Sequence, residues 1–208
     1  MNYFITGTDT GVGKTYVTRL LLRALRKAGL DSVGMKPICC GDRSDAEILC
    51  QAADFAAPLD EVNPIWLEVP AAPYTASMVE ERMIDLDAIR ESYARLRKAH
   101  RSILVEGVGG WLVPIRRDYF ISDLAAEIGL PVVVVAGNKL GAINHTLLTV
   151  ESIRASGQEC AGVILSHCDA QMDLIAASTN RSVLEHLLDV PILFEIERDQ
   201  QEIELAIA

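Results

Sequence analysis

The stretch Asn2-Tyr3-Phe4-Ile5-Thr6-Gly7-Thr8-Asp9-Thr10-Gly11-Val12-Gly13-Lys14-Thr15 decides the fold. An apolar run at 3–5 suits a β-strand and leads directly into a glycine-rich turn. Gly13-Lys14-Thr15 then opens a segment of helical period. Val17, Leu20, Leu21 and Leu25 share one face of that segment, with Arg19, Arg23, Arg26 and Lys27 largely on the other. Strand, glycine turn and helix in this order make a phosphate loop. Gly11 and Gly13 let the backbone turn tightly and bring its N–H groups within reach of phosphate oxygens. The helix start adds unpaired donors and roughly half a positive charge. Lys14 is suited to bridge β- and γ-phosphates, and the Thr15 hydroxyl to hold Mg²⁺. The nucleotide-binding set is Thr10, Gly11, Val12, Gly13, Lys14, Thr15 and Tyr16. One departure stands out: the usual G-x-x-x-x-G-K-[ST] has glycine at position 8, and this chain has Thr8 with Gly7 one residue early.

Outward from this loop, short apolar runs alternate with segments of helical period. Further strands are expected at 32–35, 103–105, 131–136, 161–165 and 191–194. Helical spacing recurs in Leu86, Ile89, Tyr93 and Leu96, in Leu147, Val150 and Ile153, and in Val183, Leu184, Leu187 and Leu188. Gly29 and Gly157 stand where helix C-terminal caps are expected. Strands nearly continuous in Val and Ile, such as 132–135, imply burial on both faces and hence a parallel sheet covered by helices. The expected fold is α/β, a doubly wound, mostly parallel sheet with helices on both faces, in one domain over 1–208. Residues 56–75 hold Pro58, Pro64, Pro70 and Pro73 and read as a loop with short pieces of structure, a length that is often functional.

Of the 208 residues, 50% are apolar, and 29 acidic against 19 basic residues give a net charge of −10. That composition suits a packed core and offers no basic stripe for a nucleic-acid backbone. The longest aliphatic stretch, 130–136, falls far short of the ~20 residues a membrane-spanning helix needs. The first residues lack a signal-peptide layout. Cys39, Cys40, Cys50, Cys160 and Cys168 are odd in number and contain no C-x-x-C pair, so reduced thiols in the cytoplasm are the expectation.

Ligands of open α/β sheets sit beyond the carboxyl ends of the strands. Lys36-Pro37 ends the second expected strand, Glu106-Gly107-Val108-Gly109-Gly110 the third, and Lys139-Leu140-Gly141 follows the fourth. A lysine ending a buried strand must find an anion, which singles out Lys36. Glu106, with Thr15 and Asp45, forms a candidate Mg²⁺ set, since magnesium takes one or two carboxylates plus phosphate oxygens and water. Asp45 reads equally as an acid at a helix N-terminus. For Lys139 the structural and functional readings stand even. Gly141-Ala142-Ile143-Asn144-His145 opens a helix whose free N–H groups suit a carboxylate. His145 alone reads as a capping or surface histidine.

Together these residues resemble the dethiobiotin synthetase family. The matching stretches are Phe4 through Thr15, Lys36-Pro37, Val105-Glu-Gly-Val-Gly-Gly-Trp111 and Lys139-Leu-Gly-Ala-Ile-Asn-His145, in the family's order. The last two blocks are far more specific than the phosphate loop. The resemblance implies ATP- and Mg²⁺-dependent ring closure of 7,8-diaminononanoate with CO₂ to dethiobiotin. In that chemistry an amine captures CO₂ as a carbamate, a carbamate oxygen attacks the γ-phosphate, and the neighbouring amine closes the mixed anhydride. Lys36 and Lys14 would be the catalytic cations. Lys36, Cys40, Lys139, Leu140, Gly141 and Asn144 would contact substrate, with the helix start at Gly141–His145 receiving the substrate's carboxylate across a homodimer interface. Thr15, Asp45 and Glu106 would hold Mg²⁺, and Gly107, Val108, Gly109, Ser166 and His167 would complete the nucleotide site.

Some residues depart from the family pattern. Cys39-Cys40-Gly41 stands where a small hydroxyl residue is usual, and Ser166-His167 where an adenine-reading Asn is common. Near Glu195-Ile196-Glu197 the family tends to have Pro. A serine reads fewer base-edge groups than an amide, so looser nucleotide choice is expected. Two other readings stay open, a partner-regulated switch ATPase of the partition or division-site type and a non-catalytic dimer that keeps the fold. The switch class carries an extra lysine where this chain has Asp9. Intact Lys14, Thr15 and Glu106 weigh against the inactive dimer.

Overall fold

Every strand expected from the sequence forms, and all six lie in one sheet. The computed structural model describes residues 1–167 and 174–205, so Cys168 lies outside the described residues. The chain runs β1 (Asn2–Gly7), α1 (Lys14–Lys27), β2 (Ser32–Met35), β3 (Ile38–Cys40), α2 (Ser44–Ala52), α3 (Leu59–Val62), β4 (Ile65–Leu67), α4 (Pro73–Val79) and α5 (Leu86–Ala99). It continues through β5 (Ser102–Glu106), β6 (Pro114–Arg116), β7 (Tyr119–Phe120), α6 (Ile121–Ile128), β8 (Val132–Gly137), α7 (Ala142–Ala155), β9 (Cys160–Ser166), α8 (Leu174–Leu187) and β10 (Ile192–Ile196).

The main sheet has the order β10-β9-β8-β1-β5-β2, and each of its pairings is parallel. Its centre is apolar on both faces: Phe4, Ile5, Leu104, Val105 and 132–135 are all buried. The connection after β1 runs outward to β2, whereas the connection after β5 runs the opposite way, across β1 to β8. Right-handed crossovers therefore put α1 on one face and α5, α6 and α7 on the other. Arg90 of α5 pairs with Glu127 of α6 at 2.9 Å, which fits their sharing a face. The loops after β1 and β5 diverge and leave a crevice at their carboxyl ends, where ligands of such sheets bind. The register sets Ile5 beside Glu106, so the phosphate loop and Glu106 leave the sheet at the same level.

The structure adds elements that the sequence reading did not separate. The proline-rich stretch 56–75 carries α3, β4 and the start of α4. The three-residue strands β3 and β4 pair in parallel as a second small sheet, Ile38 beside Ile65. This packs the segment after Lys36 against the proline-rich stretch, with the Asn63 amide donating to the carbonyls of Lys36 and Ile65 at 2.8 Å each. Among the described residues no helix is long and apolar enough to cross a membrane.

Candidate active site

The phosphate loop closes tightly on itself. Gly11 and Gly13 take φ of 75° and 91°, a region that disfavours any residue with a Cβ. A Cβ on Gly7 would stand 2.9 Å from Val12 Cγ2 and 3.0 Å from Lys14 Nζ. That contact explains why the early glycine matters here. Lys14 is buried, and its Nζ donates to the Asp9 carbonyl at 3.0 Å. Asp9 Oδ1 in turn accepts from the Thr10 N–H at 2.7 Å.

Three sequence-distant residues meet beside this loop. Lys36 follows β2 and is 3% exposed. Its Nζ donates to Asp45 Oδ2 at 2.7 Å and to Glu106 Oε1 at 2.6 Å. Glu106 Oε1 also accepts from Thr15 Oγ1 at 2.7 Å. Asp45 lies in the first turn of α2, as its reading as a helix-start acid expects, and its carboxylate faces Lys36. The helix start itself is held by Asp42, whose Oδ1 accepts from the Ser44 N–H at 2.9 Å.

These charges set one another's protonation. Burial disfavours the charge on Lys36, but the attraction and hydrogen bonds of Glu106 and Asp45 outweigh it and raise its pKa. Burial would raise Asp45, yet Lys36 and the Thr15 hydroxyl hold it below the usual carboxylate range. Lys14 lacks such a carboxylate bond, and burial together with the nearby Lys36 charge lowers it to about 8. Burial pushes the Cys39 thiol up to about 12 and Cys40 to about 11, so neither is a thiolate nucleophile at neutral pH.

A cleft of about 730 Å³ joins these groups, a size suited to a small-molecule site. Of the residues expected from sequence it is lined by Thr10, Gly11, Gly13, Lys14, Thr15, Tyr16, Lys36, Cys40, Asp45, Val108 and Gly109. Glu106 reaches it through Thr15 and Lys36, while Val12 and Gly107 pack behind the loops. Asp42, Ser44, Val113 and the run Pro70-Ala71-Ala72-Pro73 also line it. The length and proline content of 56–75 marked that last run as functional, but nothing local tied it to the phosphate loop.

Other expected residues lie elsewhere in the single chain. Lys139, Leu140, Gly141 and Asn144 surround the start of α7 and do not line the cleft. Leu140 is 76% exposed. Ser166 ends β9 and His167 follows it, two strands beyond β1 on the same sheet edge. His167 Nε2 lies 2.9 Å from Glu195 Oε1 and 3.1 Å from the Asn138 amide. The Asn180 amide donates to Asn138 Oδ1 at 2.8 Å and to the Lys139 carbonyl at 3.1 Å.

The donor chemistry fits a hard divalent ion. Thr15, Asp45 and Glu106 offer oxygen alone, and Glu106 Oε2 is buried without a hydrogen-bond partner. An orphaned carboxylate oxygen in a buried site is what a cation would satisfy.

Residues 1–203 match the family model described as AAA domain. The chain is 46% identical over 199 residues to the ATP-dependent dethiobiotin synthetase BioD of Akkermansia muciniphila, covering 96% of this chain and 93% of the relative. The chain belongs to the dethiobiotin synthetase family. A second synthetase, from Thermodesulfovibrio yellowstonii, is 41% identical over 206 residues, covering 92% of this chain and 86% of the relative. Membership makes the chain an ATP-dependent ligase of biotin biosynthesis. Among solved structures, the MinC:MinD cell division complex of Aquifex aeolicus aligns with TM-score 0.61 at 15% identity, covering 95% of this chain and 81% of that one. A ParA family ATPase from Chlorobium tepidum aligns at 0.59 and 11% identity, covering 96% and 85%. At such identities these likenesses speak for the α/β fold alone.

Proposed function

We propose that this synthetase closes the ring of dethiobiotin in the cleft between the phosphate loop and Lys36, through a carbamate and a carbamic-phosphoric mixed anhydride. The observation that carries the reading is the convergence of two buried ammonium groups, Lys14 and Lys36, on one cleft that also holds Thr15 and Asp45. One amine of 7,8-diaminononanoate attacks CO₂ and loses a proton, giving a carbamate whose negative oxygens need a cation. Lys36 supplies it, because it carries an ammonium group and lines the cleft. A carbamate oxygen attacks the γ-phosphorus and ADP leaves, with Lys14 and the loop N–H groups holding the charge that develops. The neighbouring amine then attacks the carbamoyl carbon, and phosphate departs with the electron pair. The chain's contribution is positioning and electrostatics.

Thr15, Asp45 and Glu106 would hold Mg²⁺, which when bound neutralises phosphate charge. Lys139, Leu140, Gly141 and Asn144 contact substrate from a second copy in a homodimer of single-domain chains in the cytoplasm. Their separation from the cleft within one chain supports that arrangement. Gly107, Val108, Gly109, Ser166 and His167 complete the nucleotide site. The nearby amides of Asn138 and Asn180 are engaged with each other and with main-chain carbonyls, which favours loose reading of the base.

The assay supplies purified protein with diaminononanoate, bicarbonate, Mg²⁺ and ATP and scores dethiobiotin. Lys36→Ala is expected to abolish ring closure while ADP binding, which also reports folding, persists. Loss of ADP binding instead would reassign Lys36 to the nucleotide. ATP hydrolysis without substrate and without product would favour a switch ATPase. With other triphosphates in place of ATP, kcat/KM is expected to stay comparable, and a hundredfold preference for ATP would refute loose base reading.

A further inference from the structure

Lys36 does something that binding a carbamate does not require: its Nζ is already bonded to two carboxylates. Asp45 Oδ2 lies at 2.7 Å and Glu106 Oε1 at 2.6 Å, and Thr15 Oγ1 donates to that same Glu106 oxygen. The ammonium therefore sits among the oxygens that Thr15, Asp45 and Glu106 would give to a divalent ion. A magnesium ion needs such oxygens at about 2.0–2.1 Å, and two cations cannot share them closely without strong repulsion. Glu106 is fully buried, so leaving its charge without a cation would be strongly unfavourable.

We propose that Lys36 is the resident counter-ion of the metal site and exchanges with the divalent ion. In the metal-free enzyme its ammonium neutralises Asp45 and Glu106. When the ion takes those oxygens, Nζ is displaced into the cleft, where the carbamate forms. Lys36 already lines that cleft, and its Nζ bonds the carboxylates. The exchange rests on the reading of Thr15, Asp45 and Glu106 as ligands, and it adds a coupling that this reading lacks. An anion in the cleft draws Lys36 away from the carboxylates and so tightens metal binding. By reciprocity, the metal tightens binding of the anion. Charge is thereby passed between two subsites without either carboxylate being left bare.

The test titrates Mn²⁺, a paramagnetic stand-in for Mg²⁺, into the full chain carrying ADP, with protein in excess of nucleotide and free ion counted by electron paramagnetic resonance. Lys36→Met keeps the side-chain length and removes the competing charge, and is expected to bind Mn²⁺ about tenfold tighter than wild type. Equal or weaker binding would overturn the exchange while leaving the ligand assignment standing. Failure of both proteins to bind the ion would overturn the ligand assignment and the exchange with it. Because Lys36→Met uncovers a buried carboxylate and can fail to fold, a second measurement uses wild type. Acetylation of the Lys36 amine by acetic anhydride, mapped by mass spectrometry with ADP present, is expected to speed up about fivefold or more when Mg²⁺ is added. An unchanged or slower rate would overturn the proposal.

Discussion

Lys14 and Lys36 share a cleft but not a fate, because only Lys36 bonds carboxylates. Lys14 is held at about 8 by burial and by the charge of Lys36, below its ordinary 10.5. Between about 8 and 10.5 the folded chain therefore binds fewer protons at this group than the unfolded chain does. Its unfavourable contribution to stability is fully present below about 8 and is relieved as pH rises toward 10.5. A bound phosphate reverses the shift, because it favours the charged ammonium. ADP affinity is thus expected to fall between pH 7 and 9, with proton uptake on binding that calorimetry in two buffers detects near pH 8. A flat affinity profile would refute this. At this scale the sequence was partly readable. A lysine before Pro37 at the end of a buried strand announces that it needs an anion. Its partners stand 9 and 70 positions away, and no local spacing pairs them.

Elements follow the same division between local and distant cause. Strand, glycine turn and amphipathic helix at the phosphate loop could be read directly, since each signal is contiguous. Helix α6 carries Ile121, Leu124, Ala125 and Ile128 at helical spacing, yet it is only eight residues long and follows a short strand, so its period merges with its surroundings. Strands β3 and β4 have three residues each, all of them apolar or cysteine, too few for alternation to be read from sequence; they exist because the fold brings Ile38 beside Ile65. Gly34 marks a distant cause of another kind. A Cβ there would stand 2.8 Å from Leu22 Cδ1 of α1 and 3.0 Å from Leu49 Cβ of α2, so its bareness lets both helices settle on β2. Gly34→Ala is expected to destabilise the chain by about 1–3 kcal/mol through overpacking, read as a lower urea midpoint at unchanged slope. An unaltered midpoint would mean that the helices yield without strain.

At the scale of the whole molecule, the proposed site is divided between copies. The cleft gathers the phosphate loop, Lys36 and Asp45, whereas Gly141 and Asn144 lie apart from it on the surface. Leu140 and Leu148, 76% and 62% exposed, border that surface. Sedimentation is expected to show a dimer, with activity per chain falling on dilution; full activity in a monomer at every concentration would refute the divided site. Sequence could hint at this only through resemblance, because nothing in one chain's periodicity describes a second. The sheet order carries one more consequence, which concerns time. β1 and β2 emerge early in synthesis but are not neighbours, since β5 lies between them and β8 closes the far side of β1. Until Glu106 has been made, the strand that carries the phosphate loop has no partner in the sheet. Long-range pairing of this kind is slow because loop closure comes before its reward. Residues 2–7, which lead into the nucleotide site, thus form a strand whose two ladders span the longest sequence separations in the sheet.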